Sequence, residues 1–509
     1  MILLKLKELF NELSGEKFLS LPGYLLKSGQ DAPDVNKIEY DSRKLGAGRN
    51  GIIFACVRGA TSDGHDFADE ARRAGVCALM CEHALPALSD SLPIIIVPNV
   101  RASMGEAAAI LNGRPAGKLL MIALTGTNGK TTSAYITRSI MRASGMKTGM
   151  LGTIVNDDGQ SELEAQRTTP EGPDIQCLLA SMIRNGVSCC VMEASSHGLH
   201  QGRLRGCEFD RAGFSNLTLE HLEYHGDMEN YFAAKRLLFT EYMRGGWAAS
   251  VNADDEYGAR LLAEFPEHSR GFSLKNHDGR FYRCQVIRED IRGTDLDIIF
   301  PDSGRLSVRS PFIGAHNASN VLESAAIADS LHVPREKIAL GIENTAQVPG
   351  RLERFDIDGL SVFVDFAHSP DGLEKVLSTL SGLKKKGELW IVWGAGGDRA
   401  PQKRPVAGEI MARIADRVVI TMDNPRSENP EDIAHQVEAG VISGGQAGRH
   451  EIILDRREAI RSALRKAQPG DVVLIAGKGP ENYIDFGDRK IPFSDYRTVL
   501  EWAQERQVR

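Results

Sequence analysis

The strongest constraint on this chain is the run LLMIALTGTNGKTT at residues 119 to 132, an apolar stretch that breaks into a glycine-punctuated loop. Leu119 to Leu124 reads as a buried strand and Thr131 to Met141 as the helix that follows. A loop between a strand and a helix turns several backbone N–H groups toward one point at the positive helix end, which suits a phosphate. Lys130 adds a compact positive charge, and Thr131 a hydroxyl for Mg2+. The spacing departs from G-x-x-x-x-G-K-[ST], because Leu124 stands at the first glycine position and the glycines are Gly126 and Gly129. A plain two-glycine turn is the alternative reading.

At 509 residues the chain is too long for one core and is expected to form about three domains. A formal net charge of −7 gives no general attraction to nucleic acid or to an anionic membrane, so small-molecule partners are expected and nucleic acid is not. The eight cysteines lie mostly inside apolar runs, as reduced thiols do, and Cys77 with Cys81 lacks a second pair at zinc spacing. No apolar run approaches the ~20 residues of a membrane span, and the charged first residues do not read as a signal peptide. A cytoplasmic monomer is the expectation.

Taken in order, residues 1–113 read as a small α/β unit, with strands at Lys37 to Tyr40, Ile52 to Val57, Val76 to Cys81 and Ile94 to Val97. Asn112 to Gly117 is a breaker-rich linker. Residues 114–349 carry the phosphate loop, further strands at Lys147 to Leu151, Val187 to Glu193, Phe209 to Phe214 and Ala248 to Asn252, and an alternating stretch at 280–310 that suits an antiparallel appendage. After Pro349-Gly350, residues 350–509 alternate strand and helix, with strands at Ser361 to Asp365, Leu389 to Trp393, Arg417 to Thr421, Ile452 to Leu454 and Val472 to Ala476. The fold class expected is α/β throughout, the last part a mostly parallel sheet covered on both faces. Polar clusters follow the strand ends, the edge where open α/β sheets bind ligands.

Glu193 closes a buried strand near the phosphate loop, where a Mg2+ ligand or a water-orienting acid belongs in a nucleotide site. Residues 215 to 239 crowd Asn216, His221, His225 and Lys235 into a polar segment ahead of a helix, which on spacing alone is equally a helix entry with satisfied histidines. Asn317 and Asn320 share one face of the helix begun by Gly314-Ala315-His316, with helix capping as the plain account.

The segment Gly126-Thr127-Asn128-Gly129-Lys130-Thr131-Thr132, the Asn, two His and Ala-Ala-Lys order of 215 to 239, the Gly314 to Asn320 segment, Pro349-Gly350-Arg351-Leu352-Glu353 and VDFAHSPDGL around Asp365 and His368 together resemble the Mur ligase family, in matching order along nearly the whole chain. The resemblance implies three domains: one for a UDP-sugar, a central ATP-binding one and a Rossmann-like one for an amino acid. It implies ATP binding by Thr125, the 126–132 loop, Asn317, Asn320, Arg351 and Asp365. His221 would contribute to a metal site with Thr131 and Glu193, and Lys235 would be carbamylated, turning an ammonium into an anionic oxygen ligand. Lys130, Glu193, His221 and Lys235 would then carry the chemistry. In such ligases a substrate carboxylate attacks ATP, and an amine captures the resulting acyl phosphate.

The outer domains point to members that add meso-diaminopimelate to UDP-N-acetylmuramoyl-L-alanyl-D-glutamate for peptidoglycan. Tyr40 and Ser42, then Ala60, Thr61 and Ser62, resemble the UDP-sugar loops, and Arg167, Thr168 and Thr169 with Ser195, Gln201 and Arg203 the muramoyl-peptide contacts. Asp423-Asn424-Pro425-Arg426 matches the diaminopimelate motif, joined by Arg399, Gly477 and Glu481. A guanidinium holds the second carboxylate of diaminopimelate through two parallel hydrogen bonds, whereas lysine has no such group. Pro480 replaces a common histidine, and Ala400-Pro401-Gln402 departs from the usual charged residues. The rival readings are a lysine-adding ligase, a folylpolyglutamate synthetase, which begins with its ATP domain, and a non-catalytic ATP-binding scaffold.

Overall fold

Strand Leu120–Thr125 feeds helix Lys130–Ala143 through the phosphate loop, as the apolar run and its glycines dictate. The structure is a computed structural model that describes residues 3–15, 23–25, 33–46, 50–59, 62–89, 92–275, 278–445 and 448–507. Its residues divide into two compact units, one of 1–283 with 299–304 and 320–341, the other of 284–298, 305–319 and 342–509.

In the first unit, Leu120–Thr125 lies between Cys189–Glu193 and Phe209–Phe214, both parallel to it. Thr148–Leu151, Met243–Asn252 and Ser269–Ser273 extend the parallel part outward. Central parallel strands are covered on both faces, so their sequences are continuous apolar runs such as Cys190-Val191-Met192, all fully buried. One edge carries a hairpin, Val155–Asp157 with Glu162–Glu164, that the sequence pattern did not announce. Its turn is closed by Asp158, which accepts from the Gln160 and Ser161 amides.

A second sheet of the same unit runs in the order Gly23–Leu25, Ile94–Ile96, Ala78–Cys81, Ile52–Ala55, Lys37–Glu39, parallel except at the first strand. Helices Leu6–Gly15 and Val100–Leu111 cover one face with Leu6, Leu9, Leu13, Met104 and Leu111. The spacing of those leucines at i, i+3 and i+7 is what makes the first helix amphipathic.

The second unit holds a six-stranded sheet in the order Glu353–Ile357, Leu360–Asp365, Val472–Ala476, Leu389–Trp393, Arg417–Ile420, His450–Ile452. All pairs are parallel except the first. Alternate residues serve opposite cores: Leu389, Ile391 and Trp393 on one face, Trp390 and Val392 on the other. The last strand starts two residues earlier than its apolar stretch suggested, since an edge strand tolerates the polar His450-Glu451. The 280–310 stretch forms strands Tyr282–Asp290, Gly293–Ile299 and Arg305–Ser310. All eight cysteines are free thiols; Cys177 alone is exposed.

Candidate active site

Gly126 and Gly129 are both required by the turn. Gly126 has φ +146° and a Cβ there would lie 2.0 Å from the Ser215 hydroxyl; Gly129 has φ +94° and a Cβ would lie 2.4 Å from Asn320 Oδ1. The loop is tied to its neighbour strand by Asn216, whose side-chain oxygen accepts from the Asn128 amide at 3.0 Å and whose backbone oxygen accepts from the Thr127 amide at 2.8 Å. Thr125 donates its hydroxyl to the Ala194 carbonyl, and Thr127 and Thr132 are buried beside the loop. Lys130 folds over the loop and donates to the Gly126 and Thr127 carbonyls at 2.8 and 2.9 Å.

Glu193 sits opposite Leu124 in the strand register, which brings its carboxylate to the loop. It is fully buried and accepts from the Thr131 hydroxyl at 2.9 Å, the Thr153 hydroxyl at 2.9 Å and the Thr153 amide at 2.8 Å. Thr153 was not picked out from the sequence; its only signal is its place just after strand Thr148–Leu151.

Lys235, on helix Met228–Glu241, is 1% exposed and donates to the Gly126 carbonyl at 2.7 Å. Burial pushes its amine well below the ordinary lysine range, the nearby Lys130 pushes the same way, and Glu220 opposes. His221 begins the preceding short helix at φ +58°. Burial lowers its pKa; Glu220 raises it, and Lys130 and Lys235 lower it further. Around it stand His197 and His225, each pushed down to about 4, chiefly by burial and then by neighbouring imidazoles. Among the described residues no three His, Cys, Asp or Glu side chains converge as a metal cage. The Thr131 hydroxyl and the Glu193 carboxylate are the hard oxygen donors that fit Mg2+, and Lys235 fits a cation site only once its amine is converted to an oxygen donor.

A second group adjoins this one in the same unit. Thr169 donates to the Glu193 carbonyl at 2.8 Å and accepts from the Ser195 amide at 3.0 Å, while the Thr168 hydroxyl lies 3.1 Å from that of Thr153, whose own proton goes to Glu193. Arg203 donates to the Thr169 carbonyl and to Gln201 Oε1. Arg167, Arg203 and Arg101 converge on the buried Glu171, an acid the motif reading passed over, at 2.5, 3.3 and 3.1 Å. Tyr40 donates to Asp174 at 2.5 Å, and its pKa is raised by burial and by that carboxylate. Ser42 opens a single turn after Asp41, and Ser62 is exposed. Ala60 and Thr61 lie outside the described residues. Asn320 belongs to this unit, against Gly129.

In the second unit, Asn317 is buried and donates to the Ile313 carbonyl. Asp365 accepts from the Leu352 and Ala367 amides at 2.7 Å each; burial raises its pKa and the Arg351 guanidinium opposes. Arg351 itself lies over the Phe366 ring at 4.8 Å. At the far strand ends, the fully buried Lys478 donates to Asp423, Asn424 and Glu481 at 3.1, 2.9 and 3.1 Å, using all three of its protons. Asn424 in turn donates to Glu481 at 2.9 Å. Gly477 has φ +114°, where a Cβ would crowd Asp423. Arg426, after Pro425, has φ +51° and donates to the Gly397 carbonyl at 2.6 Å. Arg399 is exposed two residues beyond. Beneath them Arg456 and Asp495 form a fully buried pair at 2.7 Å, with Arg456 also donating to the Met422 and Ala476 carbonyls. Lys478 and Arg456 were not picked out from the sequence.

The chain matches, in order, three family descriptions: "Mur ligase family, catalytic domain" over residues 34–111, "Mur ligase middle domain" over 124–328 and "Mur ligase, glutamate ligase domain" over 350–479. A Bacillus licheniformis protein named UDP-N-acetylmuramoyl-L-alanyl-D-glutamate--2,6-diaminopimelate ligase is 39% identical over 95% of this chain and 97% of its own length. One of the same name from Geobacillus kaustophilus is 39% identical over 96% of this chain and 98% of its own. A solved structure of an enzyme with that name aligns with a TM-score of 0.69 at 28% identity, covering 99% of this chain and all of its own. The phosphate loop, the buried acid beside it and the strand-end polar cluster of the second unit thus sit in a chain that matches these relatives almost end to end, and the chain belongs to the Mur ligase family.

Proposed function

We propose that the chain is an ATP-dependent ligase that joins meso-2,6-diaminopimelate to UDP-N-acetylmuramoyl-L-alanyl-D-glutamate, giving the UDP-muramoyl tripeptide of peptidoglycan synthesis. Near-full-length identity of 39% to enzymes of that name supports the reaction. The observation that carries the amino acid is Arg426, held at a strand-end cluster that also carries Asp423, Asn424, Glu481 and the buried Lys478. A fork-shaped cation there answers the second carboxylate of diaminopimelate, and Glu481 the ammonium beside it. Arg399 and Gly477 complete that cluster.

The free carboxylate of the UDP-linked dipeptide attacks the γ-phosphorus of ATP. The bond to the β–γ bridging oxygen breaks, ADP leaves with the electron pair, and an acyl phosphate remains. The diaminopimelate amine then attacks the acyl carbon, phosphate leaves with the C–O electron pair, and the spare ammonium proton passes to solvent. No protein nucleophile is needed, so the chain's contribution is placement and charge. Loop amides and Lys130 offset charge on the transferring phosphoryl group. Bound Mg2+ would neutralise phosphate oxygens, held by Thr131 and Glu193 with His221 and a carbamylated Lys235. An uncharged Lys235 amine reacts with carbon dioxide to give a carbamate and a proton, and burial, which lowers the pKa of the amine, favours that reactive form.

Arg167, Arg203, Thr168, Thr169, Ser195 and Gln201 bind the muramoyl dipeptide, and Tyr40, Ser42 and the 60–62 loop its UDP-sugar. Residues 1–113, 114–349 and 350–509 form the three domains, and Asn317, Asn320, Arg351 and Asp365 serve the nucleotide. Among the described residues no helix is long and apolar enough to cross a membrane. Eight free thiols accord with a cytoplasmic location. Purified protein given ATP, Mg2+ and the UDP-muramoyl dipeptide is to be offered a panel of amino acids, with phosphate release as the signal. Release with meso-diaminopimelate and not with lysine is expected; equal release with lysine would overturn the amino-acid assignment.

A further inference from the structure

Glu323 is a buried acid that the proposed reaction leaves unused. It is 1% exposed, and its Oε2 accepts the Ser133 hydroxyl at 2.6 Å. Its Oε1 is sealed from solvent and makes no hydrogen bond among the described residues. That oxygen faces Gly213 of the strand beside the phosphate-loop strand, where a Cβ would stand 2.6 Å away. The next residue, Ser324, donates its hydroxyl to the Ser133 backbone oxygen at 3.2 Å. Ser133 lies in the first turn of the phosphate-loop helix, its amide donating to the Gly129 carbonyl at 2.9 Å. Glu323 and Ser324 therefore grip one residue of that turn by both side chain and main chain, and Asn320, one turn back, stops against Gly129.

An unpaired buried carboxyl oxygen is costly, so an apolar residue would pack there at less expense unless the Ser133 contact matters. We propose that Glu323 is a positioning residue for the nucleotide: through Ser133 it fixes the first turn of the loop helix, and with it the aim of Lys130 and Thr131 at the phosphates. This rests on the loop's being a nucleotide site. The uncharged acid suits the task. Burial lifts the Glu323 pKa to about 8, against the pull of the Ser133 hydrogen bond and of Lys130, the charged group that faces it. Ionisation above that pH places a negative charge behind the loop.

The test measures Mg-ADP affinity by calorimetry, with kcat and KM for each substrate, in the full chain and in E323Q, E323L and S133A. Glutamine keeps an oxygen for Ser133, so E323Q binds ADP as the parent does at pH 7. E323L and S133A, which remove the hydrogen bond from opposite sides, weaken ADP about tenfold and raise the KM for ATP by a similar factor, with smaller changes in KM for the other two substrates. Between pH 7 and 9 the parent's KM for ATP rises, and that of E323Q stays level. The proposal is overturned if S133A, or a folded E323L, binds ADP like the parent, or if KM rises equally for all three substrates, the mark of a general loss of structure. A parent chain that binds no ADP would overturn the nucleotide site itself, an outcome distinct from a parent that binds and variants that do not differ.

Discussion

Thr131 and Glu193, 62 residues apart in the chain, share a buried hydrogen bond of 2.9 Å that joins the start of the phosphate-loop helix to the end of the neighbouring strand. The hydroxyl and the carboxylate thus form one oxygen-rich corner. Replacing Thr131 by valine keeps the shape and deletes the donor. We expect kcat to fall about 10- to 100-fold, with a raised Mg2+ requirement. Rates measured across a Mg2+ titration check this, and an unchanged requirement would remove Thr131 from the cation site.

Gly126→Ala is expected to abolish measurable nucleotide binding while the rest of the fold persists. Its φ of +146° and the Ser215 hydroxyl at 2.0 Å from the added carbon force the loop to move. Strain of this kind costs about 1–3 kcal/mol. Calorimetric titration with ADP, with circular dichroism as control, reads both parts; full affinity would contradict the loop geometry.

Much of this corner was legible in the sequence, because a strand, loop and helix are contiguous and their glycines mark the turn. The partners that complete it were not. Thr153 reaches Glu193 from 40 residues away, and Glu171 collects arginines from positions 101, 167 and 203. Neither has a local pattern, since each is defined by which strand ends the sheet order brings together. Arg426 was legible by type, but its φ of +51° was not. Lys478 was not singled out within its glycine-rich loop, although all three of its protons are taken in the interior.

Arg426→Ala should raise the KM for diaminopimelate about 100-fold, the typical loss when one member of a hydrogen-bonded charge pair is removed. The KM for ATP should change by less than about twofold. Arg426→Lys should recover little, because a point charge lacks the two parallel donors. Steady-state kinetics with each substrate varied in turn separates these outcomes, and parallel losses for both would refute the assignment.

Acid should destabilise the fold partly through the histidine cluster. His225 has its folded pKa lowered to about 4 by burial, then by His197, His200, His221 and Lys235. Between about 4 and the ordinary 6.5 the unfolded chain therefore binds more protons than the folded one, so stability rises with pH across that window and is lost on acidification. His225→Gln should flatten this slope in urea unfolding measured from pH 4 to 7. An identical slope would mean that His225 takes up its proton alike in the folded and unfolded states.

Arg456→Ala should cost about 3–5 kcal/mol, because Asp495 is left as an uncompensated buried charge. The double substitution Arg456→Met with Asp495→Leu should recover most of that stability. Since Arg456 also donates to the Met422 and Ala476 carbonyls, diaminopimelate use should still be impaired in the double variant. Thermal unfolding and amino-acid saturation curves distinguish the two effects.

Gly126 lends its carbonyl oxygen to both Lys130 and Lys235, at 2.8 and 2.7 Å. An incoming anion must therefore outcompete a partner that Lys130 already has, and its net gain is the difference between two attachments. A single weakly placed phosphate gains little from that exchange, whereas a chain of three spans the amides and the ammonium together. Affinity should accordingly climb steeply from AMP to ADP to ATP, and a flat ladder across the three would show that the loop does not discriminate in this way.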